Sequence, residues 1–212
     1  MSVEKEILVL ANSIKKGGRC VAGREISRKP NGDISFGPWI RPIDPNHDEG
    51  TIAIATTIVG IRLINPLDII RIQFSEWAND PVHPEDWNIV ASASWRRTGF
   101  IESAVLDKLE DESGDLWGAS RRVLPTGGIP TLRLVKPRGE VTIEAYMELT
   151  PWGPKHRRWL KLEHDGSSHK FSIDDPLFSQ RHKLSPTEIG DQQRTFSLDP
   201  KKTVVVASLT PP

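Results

Sequence analysis

The segment TPWGPKHRRWLK, residues 150–161, sets Lys155, Arg157, Arg158 and Lys161 around two tryptophans, Trp152 and Trp159. Cations beside flat aromatic rings are the chemistry of single-strand nucleic-acid binding. The cations neutralise phosphates, and the rings offer faces on which bases stack at about 1–3 kcal/mol each. A second stretch has the same composition: Lys15, Lys16, Arg19, Arg24, Arg28 and Lys29 crowd the first glycine turn, and Trp39 and Arg41 follow. Trp95-Arg96-Arg97 is a third, smaller case. Three groups are therefore expected to touch nucleic acid: Lys15, Lys16, Arg19, Trp39 and Arg41; Trp95 and Arg96; and Trp152, Arg157, Arg158 and Trp159. The competing explanation is structural. Tryptophan is mostly buried in folded proteins, and an arginine alternating with it in a strand often only faces water.

Other chemistries fail on spacing. Gly18 and Gly23 have the G-x-x-x-x-G interval of a phosphate loop, but Arg24-Glu25 follows where Lys-Ser or Lys-Thr is required. The next residues read as strand and turn, not as the helix whose N-terminal amides would complete an anion site. Gly17-Gly18 fits a hairpin turn, and Gly23 inside a strand marks a bulge or a close backbone approach. Histidines meet carboxylates at His47-Asp48-Glu49, at His83 with Glu85 and Asp86, and at His164-Asp165 with His169. None has the i, i+4 histidine spacing of a catalytic zinc helix, so no metal is expected. No G-x-S-x-G elbow occurs. Cys20 lies mid-strand among small apolar residues, as an inert thiol does. Asp174-Asp175 precedes Pro176 and reads as a strand end and turn. No catalytic residue and no cofactor is predicted.

These side chains need elements to position them. Residues 6–11 (EILVLA) read as a buried strand, 12–18 as a turn and 19–26 as the returning strand. Residues 37–43 form a third strand, whose ladder Pro38 and Pro42 limit. Residues 51–65 fit either a strand or a buried helix, and 67–74 (LDIIRIQF) are a clear strand. A proline-held loop follows at 81–87, then a modest strand at 88–94 and a helix at 103–110. The acidic run 110–115 reads as a solvated helix end. LPTGGIP, residues 124–130, has linker composition. Beyond it come strands within 131–136, 140–149, 158–163 and 170–173, a capping box with proline at Ser185-Pro186-Thr187-Glu188, and a terminal strand over 203–209. Short strands at near-regular spacing predict a mainly β chain of sandwich or barrel design.

Composition bounds the setting. The net charge of zero gives no global pull toward nucleic acid, so any attraction must be local. A single cysteine forms no intrachain disulfide, no apolar run reaches membrane-spanning length, and the first residues lack a basic signal region. A cytoplasmic protein is expected, with no membrane partner.

The segments ILVLANSIKKGGRCVAGRE, WIRPI, LDIIRI, HPEDW, FSIDDPLF and VVVASLTPP together resemble the dual OB-containing domain family over essentially the whole chain. The resemblance implies two tandem OB-like small barrels with a few short helices, in bacterial proteins of nucleic-acid-linked conflict or defence systems. With the linker composition at 124–130 as the boundary, the expected division is a first barrel over 1–124, a linker over 125–130 and a second barrel over 131–212. The expected function is a non-catalytic module binding single-stranded DNA or RNA within a multi-component system. The alternative is a protein-interaction or scaffold module, presenting an apolar barrel face or a strand edge to a protein partner.

Overall fold

A computed structural model describes residues 2–111, 116, 130–190 and 192–209. The chain forms two units. Among the described residues, one comprises 2–109, 130–132 and 208–209; the other takes in 110–111, 116, 133–190 and 192–207. Of the expected linker, only Pro130 lies among the described residues.

In the first unit the apolar run at 6–11 nucleates β1 (Val3–Lys15), which turns through Lys16-Gly17 into β2 (Gly18–Arg28) and then β3 (Ile34–Ile43). The ambiguous 51–65 segment resolves into a 3-10 turn at Ile54–Thr57 and a small hairpin of β4 (Ile58–Val59) and β5 (Arg62–Leu63). Next come β6 (Asp68–Trp77), β7 (Asp86–Ile89) and β8 (Arg96–Phe100). The helix expected at 103–110 is a 3-10 helix over Ser103–Lys108.

Strand pairing runs β1–β2–β3–β7–β6, and β6 pairs back onto β1, closing a five-stranded barrel with β8 added beside β6. The β3–β7 pair is parallel and the others around the ring are antiparallel. Ile7, Val9, Val21, Ile40, Ile70, Ile72, Phe74 and Ile89 form its core, with Ile52, Ile64 and Trp95 packed among them. A ring this small bends sharply, and the sequence supplies the means. Register breaks fall between Val9 and Ala11 on β1 and between Arg24 and Ile26 on β2. Gly37-Pro38 falls in the gap between the Arg24–Trp39 and Ile26–Phe36 pairs, where the proline's missing N–H costs no ladder bond. Gly23 is the close approach that its place in the strand predicts: a Cβ there would lie 2.0 Å from the Leu8 carbonyl oxygen.

The second unit contains β10 (Val141–Thr150), β11 (Gly153–His164), β12 (Ser167–Ser172), α1 (Pro176–Arg181), α2 (Pro186–Ile189) and β13 (Arg194–Leu198), and all but the end residues Leu132 and Ser208 of β9 (Leu132–Val135) and β14 (Val205–Ser208). Its main sheet has the order β12–β11–β10–β13, and β9 pairs separately with β14. Pairing among the described residues thus closes a ring in the first unit and gives an open four-stranded sheet in the second. Val141, Ile143 and Ala145 of β10 and Leu160 and Leu162 of β11 bury one face of that sheet, together with Leu184 and Ile189 from the helical segment. The Asp174-Asp175-Pro176 turn proves to be a helix start. The Asp175 carboxylate accepts hydrogen bonds from the Leu177 and Phe178 N–H groups at 2.8 and 3.0 Å. Ser185 and Glu188 form the capping box expected at α2. No helix among the described residues is long and apolar enough to cross a membrane.

The His83-Glu85-Asp86 cluster forms a buried polar tether. The Thr131 hydroxyl donates to the Glu85 carboxylate and lies 2.9 Å from His83 Nδ1, while the Thr131 N–H donates to Glu85 at 3.2 Å. Thr131, expected in the second domain, is thereby pinned to the first unit's proline-held loop. Burial pushes the Glu85 pKa up, but hydrogen bonds from His83 and Thr131 more than offset it, so the carboxyl sits below its ordinary value. An acid with a depressed folded-state pKa stabilises the fold above its unfolded pKa and loses that contribution as pH falls through the folded one. Thr131→Val removes the hydroxyl donor and leaves a buried carboxylate under-satisfied, at a cost of about 1–3 kcal/mol. Acid unfolding followed by circular dichroism should therefore begin at higher pH in this variant; an unchanged acid transition would refute the role of the tether.

Candidate nucleic-acid interface

In OB barrels, oligonucleotides lie across strands 2 and 3, between the loop joining the first two strands and the loop joining the last two. Here those elements are β2 and β3, the Lys16-Gly17 turn, and the loop between β6 and β7. The side chains expected to bind at this place are engaged elsewhere. Lys15 and Lys16 both grip the Glu49 carboxylate, Lys15 at 2.6 Å. This double clamp lowers the Glu49 pKa to about 2. Arg19 is buried, and its backbone exchanges two hydrogen bonds with Ile52. Arg41 makes a two-pronged ion pair with the buried Asp86 carboxylate at 2.5 and 2.7 Å.

Two of the expected stacking platforms are closed. Trp39 is 2% exposed, with the Arg24 guanidinium 5.2 Å from its ring centre. Trp95 is 5% exposed and belongs to the barrel core. A small barrel has little interior to fill, and an indole supplies more apolar area than any other side chain, so these rings stabilise the fold. Arg96 is exposed on β8, 3.3 Å from Glu4. The sequence reading overlooked Trp77, a half-exposed ring at the end of β6, whose N–H donates to the Pro84 carbonyl at 2.9 Å.

The second sheet is different. Successive residues of a strand point to opposite sides, so Leu160 and Leu162, facing the core, turn Trp159 and Lys161 outward. By the same alternation Arg157 faces out and Arg158 faces in. Arg158 donates to the Ser179 hydroxyl at 2.7 Å, and that hydroxyl donates to the Asp175 carbonyl, tying β11 to α1. Arg158 is therefore a strut on the core side, not a phosphate contact beside Trp159. His156, on the same inner side, has its pKa lowered by burial and by the nearby Arg158 charge, which favours the neutral ring.

Cross-strand register assembles the outer face. Tyr146 lies opposite Arg157, Glu144 opposite Trp159, and Lys161 opposite Lys170. The Trp159 ring has the Lys170 ammonium 4.5 Å from its centre and the Arg157 guanidinium at 6.0 Å, one on the side of Lys161 and the other on the side of Lys155. Its indole N–H is buried and meets no acceptor among the described residues. Arg157 pairs with Glu148 and Lys161 with Glu144, each at 2.6 Å, which holds the guanidinium and ammonium in place. Lys155 and Lys170 have no ion-pair partner among the described residues. Trp152 stands at the β10–β11 turn, 93% exposed. Tyr146 and Lys170 are members of this face that residue composition alone did not reveal, because they reach it from neighbouring strands.

The geometry is that of an aromatic ring set in a row of cations on the outer face of the second unit's sheet. No group of three or more histidine, cysteine or carboxylate side chains among the described residues is arranged to hold a metal ion. No curated protein matches the sequence. The family model described as the dual OB-containing domain matches residues 5–212, nearly the full length, and the barrel's strand order agrees with it. The chain belongs to the dual OB-containing domain family.

Proposed function

We propose that this protein is a non-catalytic nucleic-acid-binding module, with single-stranded DNA or RNA lying along the outer face of β10, β11 and β12. The observation that carries the proposal is the Trp159 ring held between Arg157 and Lys170 on a solvent-facing sheet. Bases stack on Trp159 and Tyr146. Phosphates draw Lys155 and Lys170 first, and Arg157 and Lys161 only by exchanging Glu148 and Glu144 for a phosphate. A base entering over the indole displaces Lys170 toward the backbone, exchanging a cation–π contact for a phosphate pair at little net loss. Opening the ring also gives its N–H access to an acceptor, removing the penalty of an unsatisfied buried donor. The setting implied by the family is a bacterial, defence-related multi-component system, within which the first barrel's closed β2–β3 face leaves binding to the second unit.

Intrinsic tryptophan fluorescence titrated with mixed-sequence single strands of DNA and RNA at low salt tests the proposal. Neutralising two to four phosphates gives a slope of log K against log salt of roughly −1.5 to −3, at about −0.7 per phosphate for single strands. Affinity should thus fall roughly ten- to sixty-fold between 50 and 200 mM salt. The absence of any spectral change with every oligonucleotide would overturn it. That outcome would favour a protein-interaction module instead, for which the exposed isoleucines Ile54, Ile58 and Ile61 on the β3–β6 connection are the motivating feature.

A further inference from the structure

The β10–β11 hairpin runs beyond the sheet that carries it. β13 pairs with β10 only over Val141–Ala145, and β12 pairs with β11 only from Trp159 to His164. Among the described residues, the pairs from Tyr146–Arg157 to Thr150–Gly153 therefore form a two-stranded ribbon with no third strand beside it. Five residues at about 3.3 Å each make an arm roughly 17 Å long. Its turn is braced: the Thr150 hydroxyl donates to the Gly153 carbonyl at 2.7 Å, and Gly153 adopts φ +107, which favours glycine. At the tip, Trp152 and Leu149 are 93% and 87% exposed. A bare two-stranded ribbon is marginal in water, and a solvated indole gains nothing for the fold. The tip has Lys155 nearby, and the cation row on β11 leads from it back to Trp159.

Resting on the single-strand proposal above, we infer that the preferred ligand is a single strand bordering a duplex, with Trp152 packed on the exposed terminal base pair. The ribbon sets the tip at one end of the platform. From Gly153 to Trp159 the strand advances about 20 Å, a span of roughly six stacked nucleotides at 3.4 Å each. A strand seated on Trp159 thus reaches the tip within a few nucleotides. There a flat, unshielded indole meets the one flat apolar surface that a duplex presents, its terminal pair. Apolar side chains pack against base-pair faces elsewhere, where they wedge between the steps of a duplex.

The test compares three oligonucleotides in the full chain: a single-stranded tail, a blunt hairpin, and that hairpin carrying the tail at its 3′ or 5′ end. Wild type should bind one of the tailed hairpins at least fivefold more tightly than the tail alone. Trp152→Ala should abolish this preference while changing affinity for the tail alone by less than twofold. Because the side chain is solvated, the variant should keep the wild-type thermal midpoint. 2-Aminopurine in the terminal pair should be quenched by wild type and not by the variant. Equal wild-type affinity for tail and tailed hairpins, or a preference that survives Trp152→Ala, overturns the inference and leaves the platform standing. Loss of binding to the tail alone in wild type overturns both.

Discussion

Gly23→Ala is expected to abolish folding of the first barrel, or to leave it at least about 3 kcal/mol less stable. A Cβ at this position would meet the Leu8 carbonyl oxygen at 2.0 Å, the Leu8 carbonyl carbon at 2.8 Å and the Val9 Cα at 3.2 Å. All three belong to the backbone of β1, which pairs with β2 at Val9–Gly23 and Leu8–Arg24. No side chain can rotate aside, so relief requires the two strands to part. Leu8 and Val9 cannot move outward either, because β6 holds the other edge of β1 at Ile7–Ile70 and Leu8–Ile69. Overpacked cores lose about 1–3 kcal/mol when side chains can yield, and a backbone clash lies at or beyond that limit. Against a typical stability of about 5–15 kcal/mol this is a large fraction. Gly99→Ala is the control, since its Cβ would meet only Ile69 Cδ1 at 3.6 Å, an ordinary contact. Urea denaturation of the two variants should separate them widely. A Gly23→Ala midpoint as close to wild type as that of Gly99→Ala would show that the barrel does not depend on this approach.

This glycine also shows what the sequence makes legible. A glycine within an apolar strand permits only a bulge or a close contact, and both occur around Gly23. The strands of the first barrel announce themselves in the same local way, through apolar runs, turn residues and prolines. The elements that sequence missed are short or ambiguous. β8 and β13 have five residues each, and α1 has six, its start concealed in an aspartate–proline pair that serves turns equally well. The candidate face is partly readable. In RWLKLE the leucines at 160 and 162 fix the core side, which already assigns Arg158 inward and Trp159 outward. Trp39 and Trp95 carry no comparable signal. Their burial depends on which surfaces the closed barrel covers, and composition alone made them equal to Trp152. Tyr146 and Lys170 join Trp159 only through pairing registers set across the turns between neighbouring strands.

The difference between Arg158 and its neighbours supplies the second large effect. Trp159→Ala removes the ring proposed to stack on a base and the surface against which Arg157 and Lys170 rest. At about 1–3 kcal/mol per stacked base, the affinity for a single strand should fall roughly 5- to 150-fold. Trp159→Tyr keeps an aromatic face and should recover most of that loss. The cost in stability should be small, because Trp159 lies on the sheet side opposite Leu160 and Leu162. Arg158→Met is the complementary variant. It withdraws the hydrogen bond to Ser179 from the inner side, so the thermal midpoint should drop while affinity stays within about twofold. Adjacent residues of one strand would then separate binding from stability, as their opposite directions require. If Arg158→Met weakened binding as much as Trp159→Ala, at equal folded fraction, the strand would lie on the other side of the sheet. If Trp159→Ala bound normally, stacking at this ring would have no part in recognition, and the cations of the outer face would be left to act on phosphates alone.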